Sequence, residues 1–327
     1  EAKAFNINNI EISKPFEINF NKNKVIDEGF RKAFFELMSL ITKTSDQKKI
    51  KKIKLNEIKG MIESFSIKEE KFVNEIYYVN LGVSFNKKKI FSYLEQKNIF
   101  PSASNKKNFL FIPIIIDENK KDLLIYSENK FYNEWNNFSE NYHLINYILP
   151  TEDLEDLNLI KNNYGNIEDF SFKEIINKYD LENFIVTLIF KNEKEMRVLS
   201  KISIKDNLNI KNQSFSNINL NNKKQLEDII NELKIIYEDY WKESNRINTS
   251  IKLLLTIKIN SSNENRIQNF EKVLNNTDLV YNFKISKFDK DSIFYKIVFN
   301  GTPNVFLKSM NDNNFDFDTQ KKTWVLK

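Results

Sequence analysis

The hydrophobic residues of this chain follow two different periodicities, which predict a mixture of helices and strands. Over residues 24–43 apolar positions such as Phe34 and Leu37 recur every three or four residues, as in a helix with one buried face. Residues 77–85 are apolar at every second position, which is typical of a strand with one face on a core. Residues 109–116 form a continuous apolar run that favours a buried strand. We therefore expect an α+β or mixed α/β fold.

Similar patterns continue along the chain and indicate two to three small modules. Phe16, Ile18 and Phe20 alternate and predict a short first strand, and the polar stretch 101–107 is the best linker candidate. Further helices are expected at residues 55–62, 87–97, 130–138, 170–179 and 224–241, and further strands at 65–73, 123–126, 143–148, 184–190 and 198–204. The predicted modules are residues 1–106 (basic, α/β), 107–246 (central, α/β) and 247–327.

The last module has the clearest order of elements. Strands are expected at residues 251–259, 280–288, 293–299 and 323–326, with a helix at 264–274 and another opened by Pro303. This order, βαββαβ, predicts a ferredoxin-like unit.

Composition removes most kinds of catalytic centre. The chain contains one histidine, His143, no cysteine and five scattered glycines. A typical zinc site needs several His or Cys ligands, and a glycine-rich phosphate loop needs clustered glycines. A Ser-His-Asp triad would have to use His143, but no G-x-S-x-G motif is present, and a structural or surface role for this histidine is favoured. We therefore predict no cofactor, no metal site and no catalytic residues.

Acidic side chains are the remaining catalytic option. The densest group is Glu152, Asp153, Glu155 and Asp156, and a glycosidase needs two acids flanking a cleft. The alternative is that these acids lie in the first turn of a helix capped by Thr151, where the helix dipole favours them.

The net charge of +5 is unevenly spread, because basic residues exceed acidic ones in the first third of the chain, whereas acidic residues are in slight excess in the rest. The densest basic group comprises Lys48, Lys49, Lys51, Lys52 and Lys54. These lysines are a candidate site for an anionic surface, either lipid or nucleic acid, or else an ordinary solvated face. No specific nucleic-acid binding is expected, since arginine is scarce and the aromatic strand 293–299 lacks the expected glycine and leading basic residue.

Three stretches resemble the bacterial family known as domain of unknown function 2066. They are the helix over residues 28–42, the run 78–86 with the strand–helix–strand pattern that follows it, and the proline-then-acidic segment 149–156. The resemblance covers nearly the whole chain. It implies an exported protein of Gram-negative bacteria, and it transfers no catalytic residue.

Location and function are expected to follow from these features together. The chain begins at Glu1 rather than Met, which fits removal of a signal peptide before residue 1 or simple trimming of the sequence, and the lack of cysteine is compatible with export. We expect a non-enzymatic periplasmic protein that binds or helps to assemble other envelope proteins. The alternatives are a carboxylate-dependent enzyme on cell-wall glycan and binding of an anionic surface by the first module.

Overall fold

The chain divides into two compact units. The computed structural model describes residues 5–103, 105–138, 143–193 and 195–327. One unit contains residues 1–104 and 245–327, and the other contains residues 105–244. The borders between the units lie within two residues of the predicted module borders at 106/107 and 246/247. The first and last predicted modules fall in the same unit. The division into three modules stays a prediction. Helices and strands occur in similar proportion, which confirms the α+β class.

The first part of the first unit is a small sheet with helices on one face. Its elements are β1 (Asn6–Pro15), α1 (Lys22–Ile41), α2 (Thr44–Ile50), α3 (Leu55–Met61), β2 (Ile62–Val73), β3 (Ile76–Phe85) and α4 (Lys87–Gln96). The strand order is β1-β3-β2, and both pairs are antiparallel. The buried residues of α1 and of β3 belong to one hydrophobic cluster, so the helical and alternating patterns of the sequence face each other.

The ends of α1 show how local sequence places this helix. Asn21 precedes the helix, and its side chain accepts hydrogen bonds from the backbone N–H groups of Asn23 and Lys24. Residues 16–20, predicted as a strand, instead form the loop before α1. Phe16 there packs edge-on against Phe72, so the aromatic alternation serves side-chain packing rather than strand pairing.

The second unit is built on a mixed sheet. Its elements are β4 (Lys107–Asp117), β5 (Asp122–Leu124), α5 (Lys130–Glu134), β6 (Ile145–Ile148), α6 (Leu154–Asn162), α7 (Lys173–Asn177), β7 (Phe184–Lys191), β8 (Glu195–Ile204), β9 (Asn207–Ser216) and α8 (Lys223–Ser244). The strand order is β5-β4-β7-β8-β9, with β6 beside β4. The pairs β4–β6 and β4–β7 are parallel, and β7, β8 and β9 form an antiparallel meander. Part of the predicted helix 130–138 continues as a single 3₁₀ turn, and the predicted strand 143–148 begins only at Ile145.

The last part of the first unit is a five-stranded sheet. Its elements are β10 (Leu253–Asn260), α9 (Glu264–Asn276), β11 (Val280–Asp289), β12 (Ser292–Phe299), α10 (Pro303–Asn311), β13 (Phe317–Asp318) and β14 (Thr323–Leu326). The strand order is β11-β12-β10-β14-β13. A direct return from α10 would place the last strand antiparallel to β10, but β13 reverses the chain first, and β14 pairs with β10 in parallel. The ferredoxin-like detail of the prediction is therefore not confirmed.

Candidate functional site

Strand β9 forms one edge of the sheet in the second unit. It follows β8 through a two-residue turn at Lys205 and Asp206, whose φ angles are 49° and 66°. Positive φ at both central residues gives a turn whose twist matches that of a hairpin. The register between β8 and β9 then runs from Ile204–Asn207 to Glu195–Ser216 without a shift. The outer side of β9 thus presents a regular row of backbone N–H and C=O groups.

The other long edge strands are interrupted. The pairing of β1 with β3 shifts register between Ile7 and Ile10, and β2 shifts against β3 at two places. The pairing of β11 with β12 also shifts twice. Bulges of this kind twist an edge and protect it from pairing with another chain. Strand β9 lacks this protection.

The side chains of β9 also favour contact with another strand. Leu208 and Ile210 lie on one face, where they are 56% and 59% exposed. Lys211 is the one charged residue of the strand. On the opposite face, Gln213 donates a hydrogen bond to Glu232 of α8 at 3.2 Å, which holds the strand against this helix. A second strand laid beside β9 would cover Leu208 and Ile210.

The lysines predicted to bind an anionic surface lie at the junction of α2 and α3. Lys48 and Lys49 lie in the last turn of α2, Lys51 and Lys52 form the turn that follows, and Lys54 precedes α3. All five are exposed, while Ile50 and Ile53 between them are buried in the core. Lys49 pairs with Asp46 at 2.8 Å. The structure thus brings these lysines together as a solvated basic turn.

The predicted acidic group takes up structural contacts. Asp153, rather than Thr151, caps α6, because its carboxylate accepts hydrogen bonds from the N–H groups of Glu155 and Asp156. Lys178 donates to Asp153 at 3.0 Å and to Asp156 at 2.7 Å. This lysine, with the two backbone N–H groups, holds the pKa of Asp153 below its usual range. A general acid needs a raised pKa, so this carboxylate is poorly suited to that role.

His143 lies beside a buried charged group on α8. Lys234, Glu238 and Lys242 are 2%, 3% and 4% exposed. The Lys234 ammonium donates to the backbone carbonyls of Trp135, at 2.8 Å, and of Phe138. Burial lowers the pKa of Lys234 to about 8, and burial together with Lys234 and Lys242 lowers the pKa of His143 to about 4. These contacts fasten the segment between α5 and β6 to α8; residues 139–142 lie outside the described part.

Sequence reasoning did not identify β9, although two signals were present. Leu208 and Ile210 alternate with polar residues, and the dipeptide Lys205-Asp206 follows a predicted strand. Asparagine and glutamine at other positions lower the strand propensity and concealed the pattern.

Comparisons with known proteins give no further assignment. No protein-family model and no curated protein sequence matches this chain. Within residues 5–103, 105–138, 143–193 and 195–327, no three His, Asp or Glu side chains are grouped closely enough to hold a metal ion. None of the helices described for these residues is both long and apolar enough to cross a membrane.

Proposed function

We propose that this chain is a non-enzymatic protein that binds an extended segment of a partner protein along β9. The observation that carries the proposal is the unshifted register of β9 at an open sheet edge, with Leu208 and Ile210 exposed. A partner segment would pair with the outer backbone groups of β9, and its alternate side chains would contact Leu208 and Ile210. Main-chain hydrogen bonds would supply affinity, and the two apolar side chains would select apolar positions in the partner.

We propose the bacterial periplasm as the place of this interaction. The absence of cysteine supports this location, because the chain carries no thiol that could form unwanted disulfides there. Cell fractionation tests it directly: the chain should be released with the periplasmic contents. Recovery in the cytoplasmic fraction alone would reject the location and leave the binding role of β9 to be tested separately.

Photocrosslinking from β9 tests the binding role. A photoreactive amino acid replaces Asn212, which is exposed on the same face as Ile210. A second derivative carries it at Asn269, an exposed position on α9. Irradiation of cells should give a discrete adduct from the first position and none from the second. The partner is then identified by mass spectrometry and purified.

Two substitutions separate strand addition from adventitious contact. The double variant Leu208→Lys with Ile210→Lys places charges on the edge and should remove the adduct. The control Ile18→Lys changes a fully exposed apolar residue in the other unit and should leave the adduct intact. The purified partner should slow hydrogen exchange of the β9 amides. An adduct that survives in the double variant, or the lack of any adduct from Asn212, would contradict the proposal.

A further inference from the structure

One face of the sheet formed by β10–β14 is open and basic. Alternate residues of a strand point to opposite faces. Leu255, Ile257 and Ile259 of β10 pack in one buried cluster with residues of α9 and α10. The residues between them, and their register partners, lie on the other face, which we call the open face. It comprises Leu254, Thr256, Lys258, Asn282, Lys284, Lys287, Phe294, Lys296, Val298, Asp318, Thr323 and Val325, each exposed or half-buried.

Two lysines of the open face stand directly opposite each other. Lys284 on β11 and Lys296 on β12 are register partners, and both are exposed. Like charges in this position repel and destabilise an isolated sheet. An anion bound over the pair would remove this cost, so the arrangement points to a ligand.

The next row of the sheet places an aromatic ring between two more lysines. Phe294 is the register partner of Lys287 on one side and of Lys258 on the other. The ammonium groups lie 5.4 Å and 6.0 Å from the centre of the Phe294 ring. Asp289, at the end of β11, pairs with Lys287 at 3.5 Å. Asp318 of β13 is the register partner of Val325 at the other end of this row. The four lysines of this face therefore outnumber the two acids at the ends of the row, Asp289 and Asp318.

Apolar side chains stand among these lysines. Leu254 of β10 is 76% exposed. Val325, the register partner of Lys258 on β14, is 36% exposed. A sheet face that carries lysines and exposed aliphatic groups suits the boundary of a bilayer, where lysines contact lipid phosphates and aliphatic groups enter the acyl region.

We propose that the open face docks onto an anionic lipid surface. The observations favour lipid over single-stranded nucleic acid for two reasons. Base stacking needs a free aromatic face, whereas Lys258 and Lys287 already lie over Phe294. The cations are all lysines, which act as point charges, and the planar guanidinium that suits bidentate recognition is missing from this face. This inference goes beyond the role proposed for β9 and does not depend on it.

Flotation with lipid vesicles tests the inference. The intact chain is mixed with phosphatidylcholine vesicles, with or without phosphatidylglycerol, at low and high salt. We expect binding only to the anionic vesicles, weakened by salt. The double variant Lys284→Gln with Lys296→Gln should bind roughly 25-fold more weakly, since each lysine near an anionic surface contributes about fivefold. Leu254→Ser should weaken binding without changing its dependence on salt.

Two control variants locate the effect. Lys272→Gln with Lys308→Gln removes two exposed lysines from α9 and α10, on the opposite face of the same sheet, and should bind as the unsubstituted chain does. The triple variant Lys48→Gln, Lys51→Gln, Lys52→Gln tests whether the basic turn between α2 and α3 contributes to vesicle binding. Circular dichroism confirms that each variant is folded.

Four results would overturn the inference. The first two are a lack of binding of the unsubstituted chain to anionic vesicles, and a loss of binding in the Lys272–Lys308 variant equal to that in the Lys284–Lys296 variant. The other two are a loss of vesicle binding confined to the triple variant, and binding of a single-stranded oligonucleotide but not of vesicles.

Discussion

The carboxylate of Glu238 receives the backbone N–H of Leu144 on both of its oxygens, at 3.1 Å and 3.0 Å. One of these oxygens also accepts the N–H of Ile145, at 2.9 Å. Glu238 is 3% exposed and lies on α8, while Leu144 precedes β6, more than ninety residues away in sequence. Neighbouring Lys234 and Lys242 are likewise buried. One buried carboxylate thus fixes the start of a strand and partly balances two buried cations.

Substitution of Glu238 should therefore destabilise the second unit. We expect Glu238→Gln to lower the free energy of unfolding by about 2–4 kcal/mol, because it removes a negative charge beside two buried cations and weakens the bonds to the backbone. Urea unfolding measures the change, and hydrogen exchange at Leu144 and Ile145 locates it. Asp228→Asn, at an exposed position on α8, is the control and should change stability by less than about 0.5 kcal/mol. Equal effects of the two substitutions would contradict this account.

His143 should make folding sensitive to mild acid. Its pKa in the folded chain is lowered from 6.5 to about 4, first by burial and then by Lys234 and Lys242. The unfolded chain therefore binds the proton more readily, and the stabilising contribution is complete above pH 6.5 and is lost as the pH falls towards 4. We expect a loss on the order of 2 kcal/mol, reduced by the partial exposure of the ring.

Comparison of two proteins isolates this effect of pH. Burial raises the pKa of Glu238, and this group acts in the opposite direction as the pH falls. Urea unfolding is therefore measured for the unsubstituted chain and for His143→Gln, each at pH 7 and pH 4.5. Because both proteins contain Glu238, its contribution cancels when their losses of stability are compared. The loss between the two pH values should be smaller in the variant. An identical loss in both proteins would show that His143 does not titrate as described.

Two glycines should respond to alanine with opposite signs. A Cβ at Gly29 of α1 would lie 2.4 Å from Cδ1 of buried Leu81, so Gly29→Ala should cost about 1–3 kcal/mol of stability as Leu81 is displaced. Gly60 of α3 has no atom within 4 Å of the same position, so Gly60→Ala should stabilise the fold by about 0.5–1 kcal/mol through helix propensity. Thermal unfolding of both variants measures the difference. Stabilisation by Gly29→Ala would refute the close contact between α1 and β3.

The hydroxyl of Tyr237 should contribute to the stability of the second unit. It lies 2.8 Å from the hydroxyl of Thr187 and 2.7 Å from that of Ser200, and all three residues are fully buried. Tyr237→Phe should cost about 1–2 kcal/mol, because both hydroxyls lose a partner without access to water. Urea unfolding measures this cost. The triple variant Tyr237→Phe, Thr187→Val, Ser200→Ala should recover part of the lost stability, because it also removes the two hydroxyls left without a partner. No recovery would argue against these hydrogen bonds.

The hydrophobic pattern predicted most helices and central strands because burial and pattern are directly linked. The stripe on α1 and the alternation on β3 meet in one core, and the apolar run of β4 is buried on both faces of its sheet. Burial of their apolar side chains stabilises these elements, and the spacing of those side chains is visible in the sequence.

Strands β1 and β9 were missed because partner strands, rather than their own side chains, stabilise them. Strand β1 reads Asn-Ile-Asn-Asn-Ile-Glu-Ile-Ser-Lys-Pro, and β9 is similarly rich in polar residues. Their neighbours β3 and β8 supply the hydrogen bonds and a buried face, so pairing overrides local propensity. The reversal at β13 was also hidden, since two paired residues leave almost no pattern.

The sequence by itself determined the class of fold, the cores of the main elements and the absence of cysteine chemistry. Each of these depends on the identity of residues or on their spacing along the chain. Only the tertiary structure decided that β9 is an unbulged edge, that Lys284 faces Lys296, and that Glu238 reaches Leu144. These relationships join residues through strand register and packing, and register depends on the whole fold rather than on any local segment.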